Sequence, residues 1–466
     1  MSNKFKDEYE IALEKGCYIE RDCYTKLIEW KNNKARYHNA LFLRGARRVG
    51  KSVLALELAH KEYKSFIKIS FDRVNDEIKN LFINELNDLD YFYTSLEAIF
   101  SQKLFEGDSL IILDEIQLFK PARQAIKTLI QDGRFDIIET GSLASIIKSN
   151  NDEDYLLPSE ETKIDVNPIS FFEYLKACGD TIFLDFLKQC YENKKPLGPS
   201  FRTINYKFRE YMFVGGMPSP LSTFIKTKSL VKAEEIKREI VELYRDDFTK
   251  QKNTNPIYVE SIFNLIPSEL SNHDKRFKYS HISNNARERE YNGAFNWLVN
   301  AYIVNPCYNS TDPSVLPSLT INAQDFKAYL IDTGLLYTLS FMDTKQDELF
   351  YKSIILDKLH INEGMFAENY ISQALKSLDK KLFYYERRDK ETHRTILEID
   401  FMIIQNRKIT PLEVKSSIPR TVKSLLNFKE KFTNKVNNGI VLYDGDIIIK
   451  NNILYLPLFM ACLLDD

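Results

Sequence analysis

Residues 45–52 read Gly-Ala-Arg-Arg-Val-Gly-Lys-Ser and fit the pattern G-x-x-x-x-G-K-[ST]. The flanks fit as well. The apolar run Leu41-Phe42-Leu43 ends just before the loop, and the helix-forming stretch Ser52-Val-Leu-Ala-Leu-Glu-Leu-Ala59 begins just after it. A strand that feeds a glycine loop and then a helix N-terminus gathers unsatisfied backbone N–H groups around one anionic site. The pattern therefore predicts a loop that cradles the phosphates of ATP, with Gly45, Ala46, Arg47, Arg48, Val49, Gly50, Lys51 and Ser52 all in contact with the nucleotide. Gly45 and Gly50 permit the tight path, Lys51 reaches the β and γ phosphates, and the Ser52 hydroxyl is a ligand for Mg²⁺.

A second strand closes on two carboxylates: Ser109-Leu-Ile-Ile-Leu-Asp114-Glu115. Its unbroken aliphatic run is that of a buried parallel strand with helices on both faces. The charges then project at the carboxyl edge of the sheet, where ligands of such sheets bind. Asp114 is expected to hold Mg²⁺, and Glu115 to orient and polarise the attacking water. A third strand, Phe135-Asp-Ile-Ile-Glu-Thr140, runs into Thr140-Gly141-Ser142. A hydroxyl there, Thr140 or Ser142, would sense the γ-phosphate or position water, with ordinary turn chemistry as the rival role. Ile67–Phe71 supplies one more strand. Strands alternating with helical segments give an α/β fold with a doubly wound parallel sheet.

A length of 466 residues fits about three domains. The 44% hydrophobic content is enough for ordinary cores, yet no run of about 18 apolar residues exists, which argues against a membrane partner. The first ten residues contain no apolar signal core, so the expected location is the cytoplasm. The six cysteines stand without C-x-x-C spacing, as reduced thiols do, and the six histidines are too scattered for a zinc enzyme. Net charge is −2 but unevenly spread: residues 72–115 hold 11 acidic and 3 basic side chains, residues 376–450 hold 10 and 16. The C-terminal excess is where a polyanion partner is to be sought, although a solvated basic face has the same composition.

From residue 168 the alternation yields to longer helical patterns, for example Lys232–Leu243 with apolar residues at helical spacing. Gly215-Gly216-Met-Pro218 reads as a turn beside the core. Residues 253–322 carry two helical stretches, Ile257–Leu265 and Ala286–Val299, followed by a strand at Tyr302-Ile-Val. That order suits a winged helix, with Lys275, Arg276, Lys278, Arg287 and Arg289 as phosphate contacts. Interdomain packing is the other use of such a module. Further along, Glu398-Ile-Asp400-Phe-Met-Ile-Ile404 and Thr410-Pro-Leu-Glu413-Val-Lys415 read as two strands joined by Gln405-Asn-Arg-Lys408. Alternation puts Glu413 and Lys415 on one face. An aspartate beside a Glu-x-Lys resembles the site of restriction-endonuclease-like cores. There Asp400 and Glu413 would share a divalent metal, and Lys415 would orient or deprotonate water.

The phosphate loop and Asp114-Glu115 together resemble the AAA+-type ATPases, in the branch with an extra strand between the loop strand and the acidic strand. Tyr18-Ile-Glu-Arg21, Thr140-Gly-Ser142, Pro168-Ile-Ser-Phe-Phe-Glu173, Tyr211–Pro218, Tyr244–Phe248 and Tyr329–Leu336 extend the likeness over most of the chain. The set is similar to a group of bacterial and archaeal ATPases that pair such a module with a C-terminal domain containing a restriction-endonuclease-like core. This resemblance implies four parts: a P-loop ATPase core at 1–167, a helical lid at 168–250, a winged-helix-like module at 251–325 and a nuclease-like α/β domain at 326–466. It also casts Glu368 as the helix carboxylate that completes the metal site with Asp400 and Glu413. The implied function is Mg²⁺-dependent ATP hydrolysis coupled to a domain that binds or cleaves nucleic acid, in a homo-oligomer. The alternative is an ATP-regulated binding protein with negligible turnover and an inactive nuclease-like domain. Many relatives carry a Gly-Arg pair before Pro168, whereas Tyr155–Thr162 here holds no arginine. Arg245, Arg209 or a neighbouring subunit is then left to supply an arginine finger.

Overall fold

The computed structural model describes residues 6–33, 39–141, 160–250, 254–283, 287–313, 316–344, 347–356, 363–389, 391–392, 394–417, 421–433 and 435–464. The chain divides into two compact units, residues 1–167 with 300–302, and residues 168–299 with 303–466.

The first unit is built on five parallel strands, β1 (Ala40–Arg44), β2 (Ser65–Ser70), β3 (Ser109–Asp114), β4 (Asp136–Gly141) and β5 (Glu161–Asp165). Their order is β2-β3-β4-β1-β5. β3 and β4 are buried at every residue, which is why their sequences are aliphatic without alternation. β2 lies at the sheet edge, and its burial alternates as its Ser-Phe-Ile-Lys-Ile-Ser pattern implies. Ile67, Ile69, Ile111, Leu113 and Ile137 from the strands form one core with Phe82, Phe92, Leu96, Ile126 and Leu129 from helices. The helix Lys51–Glu62 starts at Gly50, whose φ of +102° lies where a side chain is strained. Gly45 is needed for a different reason: a Cβ there would run into the Val166 carbonyl.

The second unit begins with helices, among them Phe171–Ala177, Ser200–Val214 and Leu230–Lys250. It then builds a mixed sheet from β6 (Val304–Ser310), β7 (Ile321–Leu330), β8 (Phe383–Arg388), β9 (Thr395–Gln405), β10 (Lys408–Lys415), β11 (Ile440–Tyr443), β12 (Ile448–Lys450) and β13 (Ile453–Pro457). The order is β12-β13-β11-β10-β9-β8-β6-β7. β9 and β10 form the expected hairpin, turning through Asn406 and Arg407 at φ +50° and +62°.

The module expected at 251–325 shares its strands with a larger sheet. Its helices are present as Pro256–Ser271 and Glu288–Asn300, but β6 pairs with β7 on one edge and with β8 on the other. The hairpin is thus part of the eight-stranded sheet, and β7 runs straight across the expected boundary at 325/326. Five of the seven residues of β6 are buried, and β8 pairs with it at Tyr308 and Asn309 while β7 pairs along its length. The Asn309 side chain adds to the seam by accepting from the Glu386 N–H at 3.0 Å.

Three of the motifs meet in one buried polar network. Asp332 accepts from the N–H groups of Gly216 (2.6 Å) and Leu335 (2.9 Å). Gln373 accepts from the Thr333 N–H and donates to the Tyr211 hydroxyl, which donates to the Ile169 carbonyl. Gly334 closes the arrangement, since a Cβ there would lie 2.5 Å from the Val214 carbonyl oxygen and 2.6 Å from the Gly215 Cα. Backbone cannot yield as a flexible side chain does. Gly334→Ala is therefore expected to cost about 1–3 kcal/mol, read as a lower urea midpoint at unchanged m.

Candidate nucleotide site

In the first unit the loop Gly45–Gly50 passes from β1 into the helix Lys51–Glu62. The Lys51 ammonium is buried and donates to the carbonyls of Gly45 (3.0 Å) and Ala46 (2.9 Å). Burial pulls its pKa below the ordinary lysine range, against the opposing charges of Glu115 and Asp114. The Ser52 hydroxyl donates to Asp114 Oδ1 at 2.8 Å. Thr140, at the end of the adjacent strand β4, donates to the same oxygen. The structure thus brings together the loop, the end of β3 and the end of β4. Ser142, the alternative to Thr140, lies outside the described residues.

Two residues of β2 that the sequence did not single out hold the other oxygen of Asp114. Lys68 places its ammonium 3.1 Å from Oδ2, and the Ser70 hydroxyl lies 3.4 Å from it. Lys68 is in turn paired with Glu8 at 2.9 Å. Burial alone would raise the Asp114 pKa. The Lys68 charge and the hydrogen bonds from Thr140 and Ser52 outweigh it and keep the carboxyl below its usual range. A lysine inside an edge-strand pattern was the only sequence signal for this contact.

Glu115 adopts φ +53°, in the left-handed region that a non-glycine residue enters at a cost of about 1–3 kcal/mol. Its N–H donates to Thr140 Oγ1 at 3.3 Å, and its carboxylate accepts from Gln117 Nε2 at 2.6 Å. Gly141 makes room for this arrangement, because a Cβ there would meet the Gln117 side chain. Arg21, from the Tyr18–Arg21 motif, donates to the Val49 carbonyl at 3.2 Å and to that of Asn167. It therefore braces the loop from behind.

Residues 37–175 match the model of an AAA domain. Two further models match, both described as domains of unknown function, over residues 205–346 (DUF8612) and 363–459 (DUF4143). No curated protein matches the chain. Among solved structures, it is similar to the Walker-type ATPase of Pyrococcus abyssi, with 14% identity, 69% of this chain and 96% of that one covered, and a TM-score of 0.43. It is also similar to the ORC2 protein of Aeropyrum pernix, solved as ADPNP and ADP complexes, with 12% identity, coverages of 77% and 98%, and a TM-score of 0.34.

The C-terminal set lies in the second unit. The register that sets Phe401 opposite Leu412 brings Asp400 on β9 beside Glu413 on β10. Asp400 Oδ2 accepts the Val414 N–H at 2.8 Å, and the Lys415 ammonium pairs with Glu413 at 2.8 Å. Glu368, on the helix Glu363–Ser377, accepts from the Tyr329 hydroxyl at 2.9 Å and from Lys275, with Lys327 at 3.8 Å. Burial, reinforced by the negative charge of Glu368, lifts Asp400 to about 7.

Several cations read as phosphate contacts are committed to carboxylates here. Lys275 pairs with Glu368, Lys278 with Asp274, and Arg276 with Asp274 (3.1 Å) and Asp325 (2.8 Å). The arginine-finger candidates also have local partners. Arg209 pairs with Asp444 at 2.6 Å, and Arg245 with Glu242 at 2.7 Å. No helix among the described residues is long and apolar enough to cross a membrane.

Proposed function

We propose that the chain binds and hydrolyses ATP at the first-unit site. The observation that carries this reading is the meeting of Ser52 and Asp114 at 2.8 Å beside the loop, a hydroxyl and an ionised carboxylate of the kind that Mg²⁺ takes. The ion would be held by these two residues and would neutralise charge on the phosphate oxygens. Loop N–H groups and the Lys51 ammonium bind the phosphates. Glu115, steadied by Gln117, accepts the proton of the attacking water, and Thr140 keeps Asp114 turned toward Ser52. With Arg209 and Arg245 engaged locally, the basal rate is expected to be low, and an arginine from another subunit of a homo-oligomer would raise it.

The test is a nucleotide titration followed by a turnover assay. The parent is expected to bind Mg·ATP and to turn it over, and Lys51→Ala to lose at least tenfold in affinity. Equal ATP affinity for the parent and Lys51→Ala would overturn the assignment.

For the C-terminal set the reading is nucleic-acid binding without cleavage. What supports binding is the excess of 16 basic over 10 acidic side chains at 376–450, and what argues against cleavage is the pairing of Glu368 with Lys275 and of Glu413 with Lys415. Plasmid incubated with Mn²⁺ and the parent, Asp400→Ala or Lys415→Ala is expected to show equal nicking in all three. Nicking that disappears with Asp400 would restore the cleavage reading. Binding itself is expected to weaken with salt in proportion to the phosphates contacted.

A further inference from the structure

The C-terminal carboxylates do not fit a divalent metal, and the reason is a lysine that sequence reasoning passed over. Lys327 lies on β7 and is 1% exposed. Its ammonium donates to Glu398 Oε1 at 2.8 Å, lies 3.8 Å from Glu368 Oε2 and stands over the Tyr384 ring, 5.1 Å from its centroid. Lys275 takes the other oxygen of Glu368. A buried lysine costs free energy unless carboxylates surround it, and here Glu368 and Glu398 do so.

We infer that Lys327 occupies, as a permanent monocation, the place among Glu368, Glu398 and Asp400 that a divalent ion would need. Mg²⁺ demands oxygen ligands at about 2.0–2.1 Å in near-octahedral geometry, and two cations so close repel strongly. Lys327 sits mid-strand in β7 with its side chain buried, so leaving the cluster would strip Glu368 of one of its two cations. The ligand atoms follow the same logic. Among the described residues the trio of candidate ligands gathered within 4.8 Å is Asp7, Glu10 and His60 in the first unit, not the C-terminal carboxylates. Glu413 retains one buried oxygen without a partner, but one such atom does not make a metal site. The site is thus a charge-neutralised cluster that holds the sheet to the helix Glu363–Ser377. This inference does not rest on the nucleotide reading.

The experiment is a Mn²⁺ titration of the full chain followed by electron paramagnetic resonance, without nucleotide. The parent and Asp400→Ala are expected to bind the same number of ions. Lys327→Met is expected to gain one Mn²⁺ site that the parent lacks, and adding Asp400→Asn to it should abolish the gain. Lys327→Gln, which keeps a hydrogen-bond donor toward Glu398, serves if the Met variant fails to fold. Two results overturn the inference: a Mn²⁺ site in the parent that Asp400→Ala removes, or a folded Lys327 variant that gains none.

Discussion

Glu115→Gln is expected to bind ATP as the parent does and to hydrolyse it about 10²–10⁴-fold more slowly, the span ordinarily supplied by a positioned general base. Glu115 is held at φ +53° by the Thr140 hydroxyl, and its carboxylate is held by Gln117. Neither contact is needed to grip a phosphate, so affinity should be preserved. The amide is nearly isosteric and can still hydrogen bond, but it accepts no proton at neutral pH. Asp114→Asn differs in a way that separates the two carboxylates. It removes the charge that pairs with Lys68 at 3.1 Å and faces Ser52, so the Mg²⁺ concentration for half-maximal binding should rise. Titration of nucleotide and Mg²⁺ against both variants, with phosphate release measured alongside, checks the assignment. Parent-like turnover in Glu115→Gln would move the water-polarising role elsewhere.

The parts of the candidate site could be read along the chain because each is local. Gly45–Ser52 and Asp114-Glu115 each lie within a few residues, and the strand before each is an uninterrupted aliphatic run that propensity and burial both explain. The β9–β10 hairpin was legible for the same reason, its turn residues standing between two apolar runs. What stayed hidden is what other segments bring. Lys68 meets Asp114 across 46 positions, and Lys275 meets Glu368 across 93. A count of charges along the chain does not distinguish a paired lysine from a free one. The basic residues at 275–278 therefore read as a phosphate-binding face, while the fold uses them to neutralise its own acids. β6 misled in a related way. Its polar residues Asn305, Asn309 and Ser310 are buried, so polarity along the strand does not mark an exposed face.

Arg123→Met is expected to destabilise the first unit by about 3–5 kcal/mol, the cost of removing one partner from a buried ion pair. Arg123 projects from the helix Lys120–Asp132 and is 1% exposed. Its guanidinium lies over the Phe42 ring at 4.6 Å, pairs with Glu139 of β4 and is 2.7 Å from Glu161 of β5. One cation thus serves two buried carboxylates, and ionising both would leave a net negative charge inside the sheet packing. Burial, aided by the charge of Glu161 and opposed by Arg123, raises Glu139 to about 8. The sign of the pH dependence follows. An unfolded glutamate titrates near 4.3, so between about pH 4.3 and 8 the folded state binds the extra proton, and stability falls as pH rises through that window. Thermal melts of the parent should therefore drop between pH 5 and pH 8, and Glu139→Gln, which cannot ionise, should flatten that slope while leaving the fold intact. In Arg123→Met the loss should be greatest at the alkaline end, where both carboxylates seek charge and neither has the guanidinium. For a unit of this size the melting temperature should fall by about 10 °C. A parent melt that rises from pH 5 to pH 8 would show that Glu139 is ionised throughout and that the cation suffices for both.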